Sequence, residues 1–498
     1  MQYFCALAVS LYSMARRLNN SYRHIIRSTG LFGSALGIGL LCGLLRNKGL
    51  ALLLSPEGIG LITLFNAAVK LVSSSTNFGL SMSAVKRISE AYEHGDMNAL
   101  RRVVTSVRSW VLLTAILGML VCVLLSPIFD TGSFSWGNHT LHYALLAPIV
   151  GMMAITGGEM AVLKGMHRLK PLARIAIYHA AVALVISVAL CWIFGQRAIV
   201  PMLVLTAFVQ MLITIAYSYK TIRLSFKLNT KVLTEGKSMV LLGGAFVLAG
   251  IFSSGASFLI RAFINHTSTL ELVGLYNVAL ILPMTLSEIV FSSMESDYFP
   301  RLSAAGEGQS MQNAIANRQI VVSLTILTPM LIAFLLSLPV LIPLLYSSEF
   351  LPAQSMMQLV AVAMFFRAVS LPIAYIPLAR GDGRGYLLME AIFYLVLLAT
   401  VFYGFKTGSL LGAGIALAVT AVIEQIVLMI YMFYKHGFQF ERTTALHQLF
   451  LFIPLCLAYL LAQQKINLAY ILLSILLVGV TTFACFHYLK NKSKETEE

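Results

Sequence analysis

The sequence predicts an all-α integral membrane protein of about 14 transmembrane helices, arranged as two parallel six-helix lobes followed by a C-terminal helix pair. Three observations carry this expectation. Of 498 residues, 58% are hydrophobic and 11% charged, with a mean hydropathy of +0.84, so the chain has too little polar surface to cover a soluble globule. Apolar runs of about 20 residues recur along its length, the number that a helix rising about 1.5 Å per residue needs to cross roughly 30 Å of hydrocarbon. The polar stretch RISEA, Arg87 to Ala91, returns as RLSAA, Arg301 to Ala305. A β-barrel is excluded, because barrel strands alternate apolar and polar residues over about 10 positions and these runs do not.

Taken in order, residues 1–25 read as an N-terminal cytoplasmic or interfacial segment. Its first stretch, MQYFCALAVSLYSM, is apolar but too short to span, and the basic cluster follows it instead of preceding it as in a secretory signal. An interfacial stretch, or a start at Met14, accounts for it. Spans are expected at 26–54, 57–84, 107–127, 142–163, 173–195 and 199–219, which make an N-lobe over 26–225. A second set at 238–266, 271–297, 319–345, 353–378, 386–404 and 409–434 makes a C-lobe over 226–440, and 445–462 with 467–488 form a final pair within 441–498, ending in a basic and acidic tail. The first span is long enough to cross and tilt, and Ser55-Pro56 breaks it from the second.

The net charge of +15 is a matter of topology. With the N-terminus in the cytoplasm, basic residues gather in the N-terminal segment, the tail and every second loop: Arg16, Arg17, Arg23, Arg27, Lys86, Arg87, Arg101, Arg102, Lys164, Arg168, Lys170, Lys220, Lys227, Lys231, Arg380, Arg384, Lys435, Lys490 and Lys492. The intervening outer loops carry only Arg197, Lys406 and Lys465. This asymmetry is the positive-inside pattern, with an even number of helices and both termini inside. The basicity is therefore a property of topology and argues against nucleic acid as a partner.

Cys5, Cys42, Cys122, Cys191, Cys456 and Cys485 are scattered through apolar segments without CxxC spacing and read as small core residues. There is no GxxxxGK[ST] loop, no HExxH and no paired metal-ligand motif, so neither a cofactor nor a metal is expected. GDGRG, Gly381 to Gly385, lies on an inner loop without a strand-to-helix context and reads as a tight helix connection. The longest outer loop, roughly Ser126 to Leu141, offers Asp130 and His139 but little room for catalysis. Asn138-His139-Thr140 formally matches a glycosylation sequon, which matters only in a host that reads it.

The repetition of RISEA is part of a longer register. At a shift of 214 residues (301 less 87), Gly30 meets Gly244, Phe32 meets Phe246, Glu57 meets Glu271, Gly60 meets Gly274 and Ser89 meets Ser303. A small insertion moves the shift to 216, where Pro127 meets Pro343, Gly165 meets Gly381 and Arg168 meets Arg384; Lys220 then meets Lys435 at 215. Six helices have the pattern of a duplication. An even number per unit makes the repeats parallel, related by an axis along the membrane normal and enclosing a central cavity.

Two stretches carry a resemblance to a known family. SPEGIGLITLFNAAVK, Ser55 to Lys70, resembles the Gly-x-x-Gly opening of the second helix in polysaccharide flippases of the multidrug/oligosaccharidyl-lipid/polysaccharide exporter superfamily. AVLKGMHRLKPLA, Ala161 to Ala173, resembles the inner loop after their fourth helix. The resemblance covers both lobes and the additional helix pair that some members carry. It implies alternating access by a V-shaped pair of lobes and export of undecaprenyl-pyrophosphate-linked oligosaccharides for O-antigen, capsule or exopolysaccharide.

Ionisable groups at membrane depth cost several kcal/mol if they face lipid, so each needs a protein or aqueous partner. Arg46 and Lys48 precede the Ser55-Pro56 break, and Arg261 sits one residue from the repeat position of Arg46. Lys70 lies about 20 Å along the second helix from Glu57. Arg367, in QLVAVAMFFRAVSLP, is similarly deep in the tenth span. As a group these cations would bind a pyrophosphate, Arg through a planar fork and Lys as a mobile charge. The alternative is snorkelling for Arg46 and Lys48, and ion pairing with Glu288 or Glu424 for the others. Glu159, Glu288, Glu390 and Glu424 are candidate proton or cation sites, or structural partners.

The resulting expectation is a non-enzymatic flippase that carries a lipid-linked oligosaccharide from the inner to the outer leaflet, with membrane lipids around it and a polysaccharide polymerase and chain-length machinery as possible partners. No ATP motif is needed, since outward movement of a negative charge releases about 2.3 kcal/mol per 100 mV. An ion-coupled multidrug exporter of the same superfamily is the alternative and would need an anionic or aromatic pocket. A membrane-embedded polymerase or glycosyltransferase would need a catalytic cluster for which the loops are short.

Overall fold

In the computed structural model, which describes residues 20–134, 137–223, 230–293, 297–305 and 308–495, every described regular element is helical. Eleven described helical runs are long and apolar enough to cross a membrane, and the chain is a multi-pass membrane protein. The stretch Met1 to Met14, with Cys5, and the basic residues Arg16, Arg17 and Lys227 lie outside the described residues.

Helix α1 (Asn20–Thr76) holds the first two expected spans in one run, broken where the sequence placed the break. Pro56 disfavours the helical region for the residue before it, and Ser55 takes φ 58, ψ 177, which side-chain-bearing residues seldom adopt. The second span ends at Thr76, short of the expected residue 84. There the chain turns through Phe78 and Gly79, at φ 49 and 64, and the Thr76 hydroxyl donates back to the Val72 carbonyl at 2.8 Å. Helix α2 (Leu80–Glu93) follows, amphipathic, with Leu80, Ala84 and Ile88 on its buried face.

Helix α3 (Met97–Ser133) outruns the expected 107–127 at both ends. Its start is fixed by Asp96, whose Oδ1 accepts hydrogen bonds from the backbone N–H of Asn98 at 2.8 Å and of Ala99 at 3.0 Å. These bonds hold the Asp96 carboxyl below its ordinary range. At the other end the helix continues past Pro127, so most of the expected outer loop is helical: α4 (Thr140–Leu145) begins within it. Asp130 closes the remainder, accepting from His139 N–H at 3.0 Å and from the Thr140 hydroxyl at 2.7 Å, which gives it a structural role. Helices α5 (Ala147–Gly165), α6 (Leu169–Phe194) and α7 (Ile199–Tyr219) complete this half, the last two joined by a 3₁₀ turn at Gly195–Ala198.

The same order of elements then returns. Helices α8 (Thr230–Thr267) and α9 (Leu270–Ser293) stand where the two parts of α1 stood, and short α10 (Phe299–Ala304) precedes α11 (Gln309–Leu345), which at 37 residues has the length of α3. A 3₁₀ turn (Ser348–Ala353) leads into α12 (Gln354–Ala379), and α13 (Gly383–His436) is one run broken at Gly408 and Ser409. Helices α14 (Arg442–Leu461) and α15 (Leu468–Glu495) end the described chain. GDGRG is the tight connection its sequence suggests: Gly381 has φ 72, and Asp382 caps α13 by accepting from Gly385 N–H at 3.0 Å.

The helices gather into two compact units. One comprises the chain up to Leu53 with Val72–Leu125 and His142–Gly244; the other comprises Leu54–Leu71, Ser126–Leu141 and the chain from Ala245 on. In the first, Arg108 and Glu159 form a fully buried pair, with Arg108 Nε donating to Oε1 at 2.8 Å and Nη2 to Oε2 at 2.9 Å. In the second, Gly60 and Gly274 let two helix backbones touch. A Cβ on Gly60 would collide with the carbonyl oxygen of Leu270, and one on Gly274 with that of Pro56. Residues 56 and 270 stand 214 positions apart, as do 60 and 274, and the contact is reciprocal.

Candidate functional site

The second unit brings the ends of several helices together. Ser55, Pro56 and Glu57 line one cavity of about 500 Å³ with Ser268, Thr269, Leu270, Glu271 and Glu349. The second part of α1, the end of α8 and the starts of α9 and α12 therefore share one end of the unit, and depth can be counted from it. Arg261 lies 6 residues before Thr267, about 9 Å in; Lys70 lies 14 residues after Pro56 and Arg367 13 after Gln354, each about 20 Å in.

At these depths a second cavity, of about 340 Å³, is lined by Lys70, Arg261, Arg367 and Glu424, with Tyr276, Phe393 and Tyr394 on its walls. Sequence reasoning named all four charged groups, and the fold brings them to one cavity from four helices. Three cations face one carboxylate. Arg261 is fixed by its neighbours: Nη1 donates to the Ser257 carbonyl at 2.9 Å and to the Ser257 hydroxyl, and Nη2 donates to Asn277 Oδ1 at 2.8 Å. Its guanidinium carbon stands 6.0 Å from the centre of the Tyr276 ring. Arg367 lies 5.8 Å from the Phe393 ring centre and interacts electrostatically with Glu424, Glu390 and Glu288. Lys70 is exposed to the cavity.

The other candidates lie elsewhere. Arg46, half-buried in the first unit, donates from Nε to the Ser187 hydroxyl at 2.8 Å, and Lys48 on the same helix is likewise half-buried and has a contact of its own. Neither lines the cavity. Glu390 and Glu424 border a smaller space of about 30 Å³ with Tyr386 and Thr420. Glu288 is exposed on α9. Glu159 is the partner of Arg108. Among the described residues no three His, Cys, Asp or Glu side chains come together as a metal site, and the five described cysteines are free.

Three residues escaped the sequence reading. Arg108 follows Arg101 and Arg102 closely enough to pass for part of the same inner loop, yet the Asp96 cap starts the helix early and carries it inside. Ser257 and Asn277 gave a weaker signal: a serine one turn from an arginine, and an asparagine in an otherwise apolar stretch.

Long apolar helices around a basic cavity define a multi-pass membrane protein, and its fold is similar to that of solved structures of transporters. The structure of a "Lipid II flippase MurJ, inward closed conformation" matches with a TM-score of 0.65 at 13% identity, over 93% of this chain and 99% of that one. An inward-facing "multidrug resistance MATE family transporter of the MOP superfamily" matches with a TM-score of 0.62 at 14% identity, over 79% and 94%. A MOP superfamily transporter from Pyrococcus furiosus, described as having a binding pocket of reverse polarity, matches with a TM-score of 0.55 at 14% identity, over 89% and 96%. Residues 50–355 match the family described as polysaccharide biosynthesis protein, and the chain belongs to that family. A search of curated proteins returns no significant match.

Proposed function

We propose that the protein flips an undecaprenyl-pyrophosphate-linked oligosaccharide from the inner to the outer leaflet of the bacterial cytoplasmic membrane by alternating access. The observation that supports this most directly is the cavity holding Lys70, Arg261 and Arg367 against the single acid Glu424. Its formal balance of two positive charges suits the two negative charges of a pyrophosphate diester. Its volume lies at the lower end of small-molecule sites, about 300–1,000 Å³, so recognition centres on the phosphates and the group next to them. Membership in a polysaccharide biosynthesis family supports the sugar part of the reading.

The reading includes a topology. Each of the three interrupted runs, broken at Ser55, at Gly195–Ala198 and at Gly408–Ser409, crosses twice, giving 14 crossings with both termini in the cytoplasm. Lobes 26–225 and 226–440 are parallel repeats, and the reciprocal glycine contact supports a two-fold relation. Arg46 and Lys48 serve the substrate from the first lobe, while Glu424 and Glu390, next to Arg367, are the acids best placed to couple transport to an ion. A polysaccharide polymerase and chain-length machinery would take the delivered product.

The multidrug alternative draws on the aromatic wall of Tyr276, Phe393 and Tyr394 together with Glu424, and on the multidrug transporter among the structural matches. The excess of cations weighs against it. The test is surface polysaccharide in a flippase-deficient host, normalised to membrane-inserted protein. Lys70→Ala and Arg261→Ala are each expected to lose export while still reaching the membrane, since a charge-assisted hydrogen bond is worth about 1.5–3 kcal/mol. Full export by both variants would overturn the cationic-cavity assignment.

A further inference from the structure

Two arginines of this protein are held in opposite ways. Arg108 grips both oxygens of Glu159 with Nε and Nη2 at 2.8 and 2.9 Å, so its charge is cancelled by a carboxylate. Arg261 borders the cavity and has a neutral shell: the Ser257 carbonyl and hydroxyl on Nη1 and the Asn277 amide oxygen on Nη2. A guanidinium only donates, so Asn277 must present its oxygen. These bonds occupy three of the five donors, and Nε, which in Arg108 holds the carboxylate, is buried without a hydrogen-bond partner. A buried donor left unmatched is uncommon in a native protein and points to a missing acceptor.

The hairpin between α8 and α9 explains how the shell forms. Arg261 lies 6 residues before the end of α8 at Thr267, and Asn277 lies 7 residues after the start of α9 at Leu270, so antiparallel helices bring them level about 9–10 Å from the turn. Ser257 is one turn back on α8 and meets the same head group. An aspartate at 277 would present an oxygen at the same reach and would neutralise the arginine. The amide fixes the guanidinium and leaves its charge available.

Resting on the cavity reading above, we propose that Asn277 and Ser257 are positioning residues that hold Arg261 as an uncancelled cation for the phosphate of the transported lipid. Arg261 touches the substrate; Asn277 and Ser257 act through it. The side chain at position 277 thereby sets whether the part of the cavity beside Arg261 accepts an anion.

The experiment uses the purified full chain in nanodiscs with inorganic pyrophosphate as the probe, its binding measured by calorimetry beside thermal unfolding of each variant. Asn277→Asp is expected to bind pyrophosphate at least about tenfold more weakly, the scale of one charge-assisted interaction, while unfolding no earlier than wild type. Asn277→Ala and Ser257→Ala, which loosen the fork without cancelling it, are expected to lose less. Arg261→Ala sets the floor. If Asn277→Asp binds within twofold of wild type while Arg261→Ala binds poorly, the positioning role is overturned and the cationic cavity stands. If Arg261→Ala itself binds as wild type, both readings fall. Should Asn277→Asp not fold, wild-type binding by Asn277→Ala and Ser257→Ala together would overturn the role.

Discussion

Glu159→Gln separates a structural acid from a coupling one. Glu159 and Arg108 have side-chain exposures of 4% and 2%, and the carboxylate also accepts a hydrogen bond from Ser218 at 2.5 Å. The arginine in turn reaches the last residues before 224, donating from Nη1 to the Arg223 carbonyl at 3.0 Å. Replacing the carboxylate with an amide keeps the shape, leaves a buried guanidinium without its counter-charge and turns an NH₂ group toward donors. Breaking one side of a buried ion pair costs about 3–5 kcal/mol. At about 2–4 °C per kcal/mol for a body of 150–250 residues, the unfolding midpoint should fall by about 6–20 °C. The double variant Arg108→Met with Glu159→Leu should lose less than either single change, because an apolar pair of similar volume is often tolerated where a lone charge is not. Midpoints read by intrinsic fluorescence in one detergent, beside export normalised to inserted protein, give the answer. A Glu159→Gln protein with wild-type stability and no export would refute this reasoning and make Glu159 a coupling acid.

Gly60→Ala and Gly274→Ala should each cost about 1–3 kcal/mol by forcing two backbones apart, and the double variant should cost little more than either alone, since one displacement serves both; additive losses in thermal unfolding would count against a shared contact. Ser55→Gly should raise the unfolding midpoint by relieving a backbone penalty of about 1–3 kcal/mol, and an unchanged midpoint would show that Ser55 is unstrained. Asp382 is held below the ordinary carboxylate range mainly by its hydrogen bond with Lys435, with the Gly385 N–H and His436 adding to it. A depressed acid stabilises the fold above its ordinary range and loses that contribution as pH falls through the folded value. The stability gap between wild type and Asp382→Asn should therefore close below about pH 4, and a gap constant from pH 7 to pH 3 would exclude the pairing as its source.

Much of the fold was legible because membrane helices leave few choices. Apolar length announced the crossings, and Pro56 announced the break at Ser55. Where the sequence misled, local backbone geometry decided the outcome: the left-handed turn at Phe78 and Gly79 ended α1 early, the Asp96 cap started α3 early, and Asp130 clasps the short loop that remains after it. Other prolines were poorer guides than Pro56, since α11 carries Pro329, Pro339 and Pro343 within one helix. The charged lining of the candidate cavity was legible in the sequence. Lys70, Arg261, Arg367 and Glu424 stand out in apolar runs because each costs too much to be accidental. The shell around Arg261 was not legible, because Ser257 and Asn277 acquire meaning only when two helices lie side by side. Nor could composition separate Arg261 from Arg108, whose difference is the charge of the nearest partner.

The reciprocal glycine contact makes two positions behave as one. Any side chain added at residue 60 presses on the backbone at residue 270, and any added at 274 presses on the backbone at residue 56. Neither position can change alone, because each helix supplies the surface against which the other's glycine is fitted. Mutational tolerance at either site is set by the main chain of the facing helix, which substitution of that helix's side chains can do little to relax.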